Sequence, residues 1–360
     1  MSSSPRNGSW TYGEYLQLPE LLNLQAEERG ISNDELHFII VHQTFELWFK
    51  QIICELGLVR DILTQEKVLE SDIPKACDHL GRTSEIFRLM ANQWSVLETL
   101  TPQGFLAFRD GLGTASGFES YQMREFELLL GLKQEDRLHK MDVIEQFRKL
   151  AKNSEHDAAI FARLEAIQAQ PSLFESLLKW IERTPIMGSS DGDEGDELVV
   201  SDYVENHLNG HRAVCDSAID RLGEQGADHA EAAVARFDAA QIAADNFLRP
   251  NGEVNRARAG LLFIESYREL PLLTWPRKMI DTMVELEELI VKWRHSHARM
   301  VERIMGKRMG TGGSSGVDYL DDTAKYRIFK DLWAVRTILI TPQHRPELLN
   351  GEFYHFNVEN

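Results

Sequence analysis

The sequence predicts an all-α protein, because apolar residues recur at helical spacing in most segments and strand-like alternation is nearly absent. Two long runs carry most of this signal. "SNDELHFIIVHQTFELWFKQIICELGLVRDIL" continues without proline to about residue 63, and another run spans about 275–305. With 360 residues, 43% of them apolar, the chain can bury one large core, although length alone leaves two domains possible.

The predicted helices follow one another in order, each with its own start signal. Ser32 and Glu35 stand at capping-box spacing before the first long helix. A second helix is predicted from Ile73 to Leu100, and Thr101 caps a short one with Pro102 at its first position. Further helices are predicted near 118–131, 155–168, 172–183, 202–222, 227–247, 253–268 and 275–305, with Pro276 at or before the start of the last.

One stretch lacks the apolar residues that a packed element needs. "GSSDGDEGDE" at 188–197 is rich in Gly, Ser and acidic residues, so we expect a mobile loop there. The alanine-rich "HAEAAVARFDAAQIAADNF" follows, and we interpret it as a solvent-facing helix or an insertion rather than a separate domain.

Composition excludes several classes of partner. The formal charge of −18 and the pI near 5.1 argue against nucleic acid and anionic membranes. Cys54, Cys77 and Cys215 form neither a zinc pattern nor a disulfide framework. The N-terminus has no apolar signal core, and no 18-residue apolar run occurs. We therefore expect a soluble, cytoplasmic protein.

Helical phase separates two neighbouring histidines in "KWRHSHARMVERI" at 292–304. Two residues correspond to about 200° of helix rotation, so His295 falls on the polar side with Arg299, and His297 does not. The apolar stripe that includes His297 consists of Met283, Leu286, Ile290, Trp293, Met300 and Ile304. In the first long helix, His42 shares the buried face with Phe38, whereas His37 points elsewhere.

These histidines allow two interpretations. A histidine on an apolar helix face is most often a hydrogen-bonded core residue. A zinc site needs three or four ligands, HExxH is absent, and His295 and His297 diverge, so they cannot share an ion. A single axial histidine facing a large apolar cavity is instead what heme requires, because the porphyrin supplies the other four ligands.

Two loops also leave alternatives open. "KRMGTGGSSGVDYL" at 307–320 is neither a Walker A nor a GxGxxG loop, so it is a flexible linker or a loop whose Thr311 approaches a polar ligand. Arg109 lies between apolar residues in "FLAFRDGLGTASGFES". It is either an ordinary ion-pair partner or a bidentate clamp for a carboxylate.

Five strings together resemble the tryptophan 2,3-dioxygenase family of heme enzymes. They are "TYGEYLQLPELLNLQ", "DELHFIIVHQTFELWFKQI", "QWSVLETLTPQGFLAFRDGLGTASGFES", "WRHSHARMVERIMG" and "GTGGSSGVDYL". They occur in the family's order and cover both halves of the chain. The resemblance implies an all-α, heme-containing helical bundle that is oligomeric, with a single heme-dependent oxygenase domain over 1–360.

The resemblance implies a heme b site and a substrate site. His297 matches the proximal iron ligand. Trp94, Ser116 and Gly117 match positions of the pocket wall on the cofactor side. Phe38 and His42 match distal residues that pack on the indole and receive its N–H, which makes His42 the catalytic candidate. Arg109 matches the carboxylate clamp and Thr311 the residue that binds the ammonium group. Phe105, one turn before Arg109, and Leu112 complete the substrate side; some relatives carry Tyr in place of Phe105.

The resemblance also implies an assembly. Tyr12, Tyr15 and Leu16 match an N-terminal segment, within 1–30, that reaches a neighbouring subunit's substrate site, so a homotetramer of two dimers is implied. The section at about 185–275 resembles the family less well and is expected to be a variable insertion.

The implied reaction is insertion of both atoms of O2 at the indole C2–C3 bond of L-tryptophan or a substituted tryptophan, which gives an N-formylkynurenine-type product. Two alternatives stay open at this point. Homologues that add one oxygen would give a 2-oxindole from tryptophan or β-methyltryptophan in a secondary-metabolite pathway. A non-catalytic sensor that binds heme and tryptophan is the alternative from another class.

Overall fold

A computed structural model describes residues 10–113, 117–137, 142–224, 227–308 and 316–355. Within these ranges the regular structure is helical, without an extended strand, and the all-α prediction is confirmed. The α-helices are α1 (Tyr12–Leu16), α2 (Leu18–Leu21), α3 (Asn33–Leu63), α4 (Ile73–Leu97), α5 (Pro102–Arg109), α6 (Tyr121–Leu130), α7 (Val143–Leu150), α8 (Glu155–Gln168), α9 (Leu173–Ile181), α10 (Asp196–Gly223), α11 (Ala227–Leu248), α12 (Arg256–Ser266), α13 (Thr274–Met305), α14 (Val317–Thr323) and α15 (Lys330–Thr337).

Three long helices, α3, α4 and α13, form the centre of the molecule, with α4 packed against both of the others. Their starts are set locally. The Ser32 hydroxyl accepts from the Glu35 amide at 3.1 Å and so satisfies one of the free N–H groups at the start of α3. The α3 stripe predicted from the sequence is confirmed, since Phe45, Phe49 and the residues that continue it are buried.

Aromatic rings lock these three helices together. Trp94 of α4 lies 4.2 Å from Phe45 of α3 and 5.8 Å from Trp293 of α13, measured between ring centroids. The ring of Phe49 meets Trp293 edge-on at 5.7 Å. Because such pairs add about 0.5–1.5 kcal/mol each beyond the area that they bury, the stack fixes where α13 lies along α3 and α4.

Outer helices attach to this centre through apolar faces and one buried carboxylate. Glu287 of α13 is buried and accepts hydrogen bonds from the backbone amides of Ile328 and Phe329. The indole N–H of Trp333 also donates to Glu287, so one side chain holds the segment leading into α15 and α15 itself. Helices α9 and α12 pack beside each other, and α10 and α11 form an antiparallel pair on the other flank.

The acidic segment departs from its prediction at one end. α10 begins at Asp196 rather than near residue 202, because Asp196 is buried and accepts a hydrogen bond from Arg256 at 2.6 Å. The hydroxyl of Ser189 donates to the same carboxylate at 2.8 Å. The alanine-rich stretch forms α11 and packs on α10, with Ala244 buried and Ile242 61% exposed, so one of its faces is not solvent-facing.

Five short helices of the described residues were not predicted: α1, α2, α7, α14 and α15. α7 has a start signal in Asp142, whose carboxylate accepts from the Glu145 amide at 2.9 Å. Its apolar residues Val143 and Phe147 pack with Leu164 of α8 in a cluster separate from the main core. Seven- or eight-residue helices carry about two turns of periodicity, which is too little for the pattern to stand out.

Among the helices in the described part of the chain, none is both long and apolar enough to cross a membrane.

A buried histidine links α10 to the segment after α15. His207 is fully shielded from solvent, and its Nε2 donates to the Ile338 carbonyl at 2.9 Å. Nearby, Nδ1 of His211 donates to the amide oxygen of Gln241 on α11 at 2.6 Å. Burial, with a smaller contribution from His211, lowers the pKa of His207 to about 4. His207 is therefore neutral at pH 7.

This pKa shift predicts an acid-sensitive flank. An unfolded imidazole binds a proton near pH 6.5, whereas folded His207 does so only near pH 4. The contribution of His207 to the free energy of unfolding is therefore complete above pH 6.5 and is lost as the pH falls toward 4. Between pH 7.5 and 5.5 His207 should lower the free energy of unfolding by about 1.4 kcal/mol. His207→Phe should remove that pH dependence in urea titrations, and exposed His156→Phe should keep it. Equal pH slopes for wild type and His207→Phe would contradict this account.

Candidate active site

One large cavity opens between α3, α5, α6, α13 and α14. It encloses about 1190 Å³ of empty space including its mouth, and apolar surface predominates on its walls. The described residues on its walls are Phe38, His42, Leu97, Phe105, Arg109, Leu112, Gly117, Phe118, Met123, Arg124, Arg294, His297, Met300, Val301, Ile304, Met305, Gly316, Tyr319, Leu320 and Thr323. A concave apolar site with a few polar groups is the usual form of a small-molecule pocket.

His297 presents its imidazole to this cavity from α13. The ring stacks on Trp94 with 4.4 Å between centroids and 4° between planes, which fixes its orientation. One edge of the ring faces the cavity, yet the surrounding protein desolvates it, and this burial with a smaller effect of His42 lowers the pKa of His297 to about 3. The imidazole is therefore neutral and keeps a lone pair for a ligand. His295 is exposed, as helical phase predicts.

His42 reaches the same cavity from α3. Its Nδ1 lies 2.8 Å from the carbonyl oxygen of Phe38, and because a carbonyl only accepts, Nδ1 carries the proton and Nε2 is left as an acceptor. Burial lowers the pKa of His42, against the opposing effects of the Phe38 carbonyl and the Glu46 carboxylate. The ring packs on Phe38 with centroids 4.1 Å apart. The cavity thus holds an aromatic face and a neutral acceptor side by side.

α5 brings Phe105 and Arg109 to the wall one helical turn apart. The Thr101 hydroxyl caps α5 by accepting from the Gly104 amide at 3.0 Å. Gly104 lies at a close approach to α3, because an added Cβ would lie 2.2 Å from a carboxylate oxygen of Asp34, and that side chain would have to move. Phe105 is buried, and Arg109 is half-buried with its guanidinium side chain lining the cavity.

Glu46, one turn after His42, connects α3 to the start of α6. Its carboxylate accepts from the Ser120 hydroxyl at 2.6 Å and from the Gln122 amide at 2.8 Å. Ser120 in turn caps α6 by accepting from the Met123 amide at 3.3 Å. The turn of chain that carries Gly117 and Phe118 into the wall is therefore anchored directly to the helix that carries His42.

The structure does not bring every predicted residue to the cavity. Trp94 stacks behind His297 and does not line the cavity, because the imidazole stands between them. Tyr12 and Tyr15 are 76% and 70% exposed, and Leu16 is also exposed. Thr311 and Ser116 lie outside the described residues.

Two arginines on the wall were missed by sequence reasoning. Arg124 of α6 and Arg294 of α13 line the cavity and converge on Glu127, at 2.9 Å and 2.8 Å. Arg137 donates to the same carboxylate at 2.7 Å. Burial alone would raise the pKa of Glu127, but the three guanidinium charges outweigh it and lower the pKa to about 2. One sequence signal could have identified Arg294 as a wall residue: it stands three residues before His297, on the same face of the helix.

In the described ranges, no three His, Cys, Asp or Glu side chains come together as a metal site. The cavity offers nitrogen lone pairs from two neutral imidazoles, His297 on α13 and His42 on α3, beside predominantly apolar walls. That donor set fits a metal carried in a planar macrocycle, which brings its own equatorial ligands.

The fold and the site define a helical protein in which two neutral imidazoles share one apolar cavity. The chain belongs to the tryptophan 2,3-dioxygenase family, since the family model described as tryptophan 2,3-dioxygenase matches residues 2–339. It is 40% identical to a protein named tryptophan 2,3-dioxygenase 2 from Ralstonia nicotianae, over 97% of this chain and 98% of that protein. It is 41% identical to a tryptophan 2,3-dioxygenase from Sorangium cellulosum, over 97% and 88% of the two chains.

A shorter relative shows the same likeness. A tryptophan 2,3-dioxygenase-like protein from Xanthomonas campestris is 40% identical over 72% of this chain and 99% of its own length. The family model and these relatives confirm the resemblance found in the sequence motifs. The family is heme-dependent and uses O2. The single-domain extent, the exchanged segment and the variable section at about 185–275 stay predictions.

Proposed function

We propose that this chain binds heme b through His297 and inserts both atoms of O2 at the indole C2–C3 bond of L-tryptophan, with an N-formylkynurenine-type product. The observation that carries the proposal is the placement of two neutral imidazoles, His297 and His42, on one apolar cavity beside Arg109. Family membership supports tryptophan as the substrate.

His297 would hold the heme iron, and Trp94 keeps its ring in one orientation while doing so. The iron supplies the activation of O2 when the heme is bound. Because the pKa of His297 is lowered to about 3, no proton has to leave the ligand nitrogen near pH 7. The apolar walls exclude water, which strengthens the polar contacts inside the cavity.

The substrate would be oriented by its indole and its amino-acid groups. Phe38 and Phe105, with ring centroids 5.9 Å apart, offer an aromatic wall for the indole. Nε2 of His42 is free to accept the indole N–H, because Nδ1 already donates to the Phe38 carbonyl. Arg109 would clamp the carboxylate and Thr311 the ammonium group, so the reacting bond is held in place. With Phe rather than Tyr at 105, no hydroxyl is contributed there.

We also propose a homotetramer in which the N-terminal segment enters a neighbouring subunit's site. α1 and α2 expose apolar side chains that a lone chain leaves in water, including Tyr12, Tyr15 and Leu16. The segment is tied to α3 next to His42, since the Gln25 amide donates to the Gln43 side chain at 2.9 Å. The Gln43 amide in turn donates to the Leu24 carbonyl at 2.8 Å.

Labelled O2 tests the reaction. Purified heme-loaded protein incubated with L-tryptophan should yield a product carrying two labelled oxygen atoms, read by mass spectrometry. A product with one labelled atom would show instead the monooxygenation that leads to a 2-oxindole. Binding of both heme and tryptophan without turnover would show a sensor. β-Methyltryptophan run beside tryptophan reports the tolerance for substituents.

Replacing His297 by Ala should abolish the Soret band of the heme-reconstituted protein, because the cavity then lacks the nitrogen ligand for the iron. His295→Ala is the matched control, since His295 lies two residues away on the exposed side of the same helix and should leave the band intact. An unchanged band in His297→Ala would reject this ligand assignment.

His42 should orient the indole rather than act as an obligatory base. His42→Ala should lower kcat/KM for L-tryptophan by about tenfold, the size expected for one lost hydrogen bond. With N1-methyltryptophan, which has no indole N–H, the same substitution should cost little. If His42→Ala ends turnover while the affinities for tryptophan and O2 stay intact, the orienting role is wrong.

A further inference from the structure

The buried cluster around Glu127 carries more positive than negative charge. Among the described residues, three guanidinium groups, from Arg124, Arg137 and Arg294, meet the single carboxylate of Glu127, which leaves a formal charge of +2. The four side chains are 0–4% exposed, so water does little to stabilise that excess. A buried excess of charge of this kind calls for an anionic partner.

Two of these arginines face the cavity, and the third does not. Arg124 and Arg294 are part of the cavity wall, whereas Arg137 is absent from the described wall and lines a different pocket. Arg294 is 2% exposed and uses its two terminal nitrogens on the Thr323 carbonyl and on Glu127. Its Nε has no hydrogen-bond partner among the described residues.

The unpaired donor and the excess charge point to the same kind of ligand group. A carboxylate accepts charge-assisted hydrogen bonds from guanidinium N–H groups and would offset the buried cations. Arg294 precedes His297 by three residues, so both side chains lie on one face of α13 and reach the cavity one turn apart. A ligand held by His297 would thus occupy the cavity that Arg294 also lines.

We propose that Arg124 and Arg294 form a carboxylate site for a propionate of the porphyrin, separate from Arg109. This inference rests on the heme site under the proposed function. The Glu127 carboxylate keeps both guanidinium groups in place, and the Thr323 carbonyl ties Arg294 to α14 on the opposite wall. Heme binding would therefore halve the formal charge of the cluster that joins α6, α13 and α14.

The test compares heme with its dimethyl ester, which has the same ring and iron but no carboxylate. Soret titrations and the rate of heme transfer to apomyoglobin give affinities without any activity measurement. Wild type should bind the diacid about 10- to 100-fold more tightly than the diester. Arg124→Met and Arg294→Met should each reduce that ratio by about tenfold, chiefly by weakening the diacid.

Arg137→Met is the matched control, because Arg137 contacts the same carboxylate oxygen as Arg124 but does not line the cavity. It should lower thermal stability and leave the ratio of the two affinities unchanged. If Arg294→Met does not fold, wild type, Arg124→Met and the charge-retaining Arg294→Lys still decide the question, since Arg294→Lys should retain most of the preference for the diacid.

Each outcome bears on a defined claim. Equal affinities of wild type for the two porphyrins, or a ratio that the Arg124 and Arg294 variants leave unchanged, would overturn the carboxylate site while the heme site stands. Absence of a Soret band with either porphyrin would overturn both. If Arg124→Met loses the preference for tryptophan over tryptamine while the ratio of the two porphyrin affinities stays intact, the carboxylate that binds Arg124 is the substrate's. That result also overturns the proposal.

Discussion

The stacking of Trp94 on His297 connects the site to the hydrophobic core. Trp94 also packs on Phe45 and Trp293, so the imidazole continues an aromatic stack that holds α3, α4 and α13 together. The same packing that stabilises the fold therefore sets the angle at which His297 meets the cavity. A histidine fixed in this way loses little rotamer entropy when it binds a ligand, which is the physical content of preorganisation.

The cavity combines neutral and charged surfaces in different places. Burial keeps His42 and His297 neutral. His42 therefore offers a hydrogen-bond acceptor, and His297 offers a nitrogen lone pair that can bind a metal. The charged groups, Arg109, Arg124 and Arg294, lie on separate wall helices. This separation suits heme and tryptophan, which each combine an aromatic ring system with a carboxylate. A carboxylate loses its hydration at low cost only where it pairs with a cation.

Much of the fold follows from sequence patterns, because long helices repeat their apolar spacing many times. α3 and α13 match their predicted bounds within a residue or two, and helical phase alone places His297 inward and His295 outward. α15 is not predicted because its anchor is distant in sequence. Glu287 holds the segment before α15 from about forty residues earlier in the chain, a tertiary contact without a local sequence pattern.

The site was predictable to a different degree. Phe38, His42, Phe105 and Arg109 were found because their motifs are long and distinctive, and all four line the cavity. Arg124 was overlooked because an arginine next to a glutamate in a helix, here Glu125, is usually exposed. Its role becomes visible only when Glu127 and Arg294, far apart in sequence, are seen to meet.

The two amide contacts between Gln25, Leu24 and Gln43 have a mechanical consequence. They join the N-terminal arm to α3 at Gln43, one residue beyond His42. Each such hydrogen bond contributes only about 1 kcal/mol. The arm upstream can thus pivot about a weak hinge without disturbing α3. Its resting position is then determined by whatever surface its tyrosines and leucines contact, while α3 keeps the catalytic candidate His42 in place.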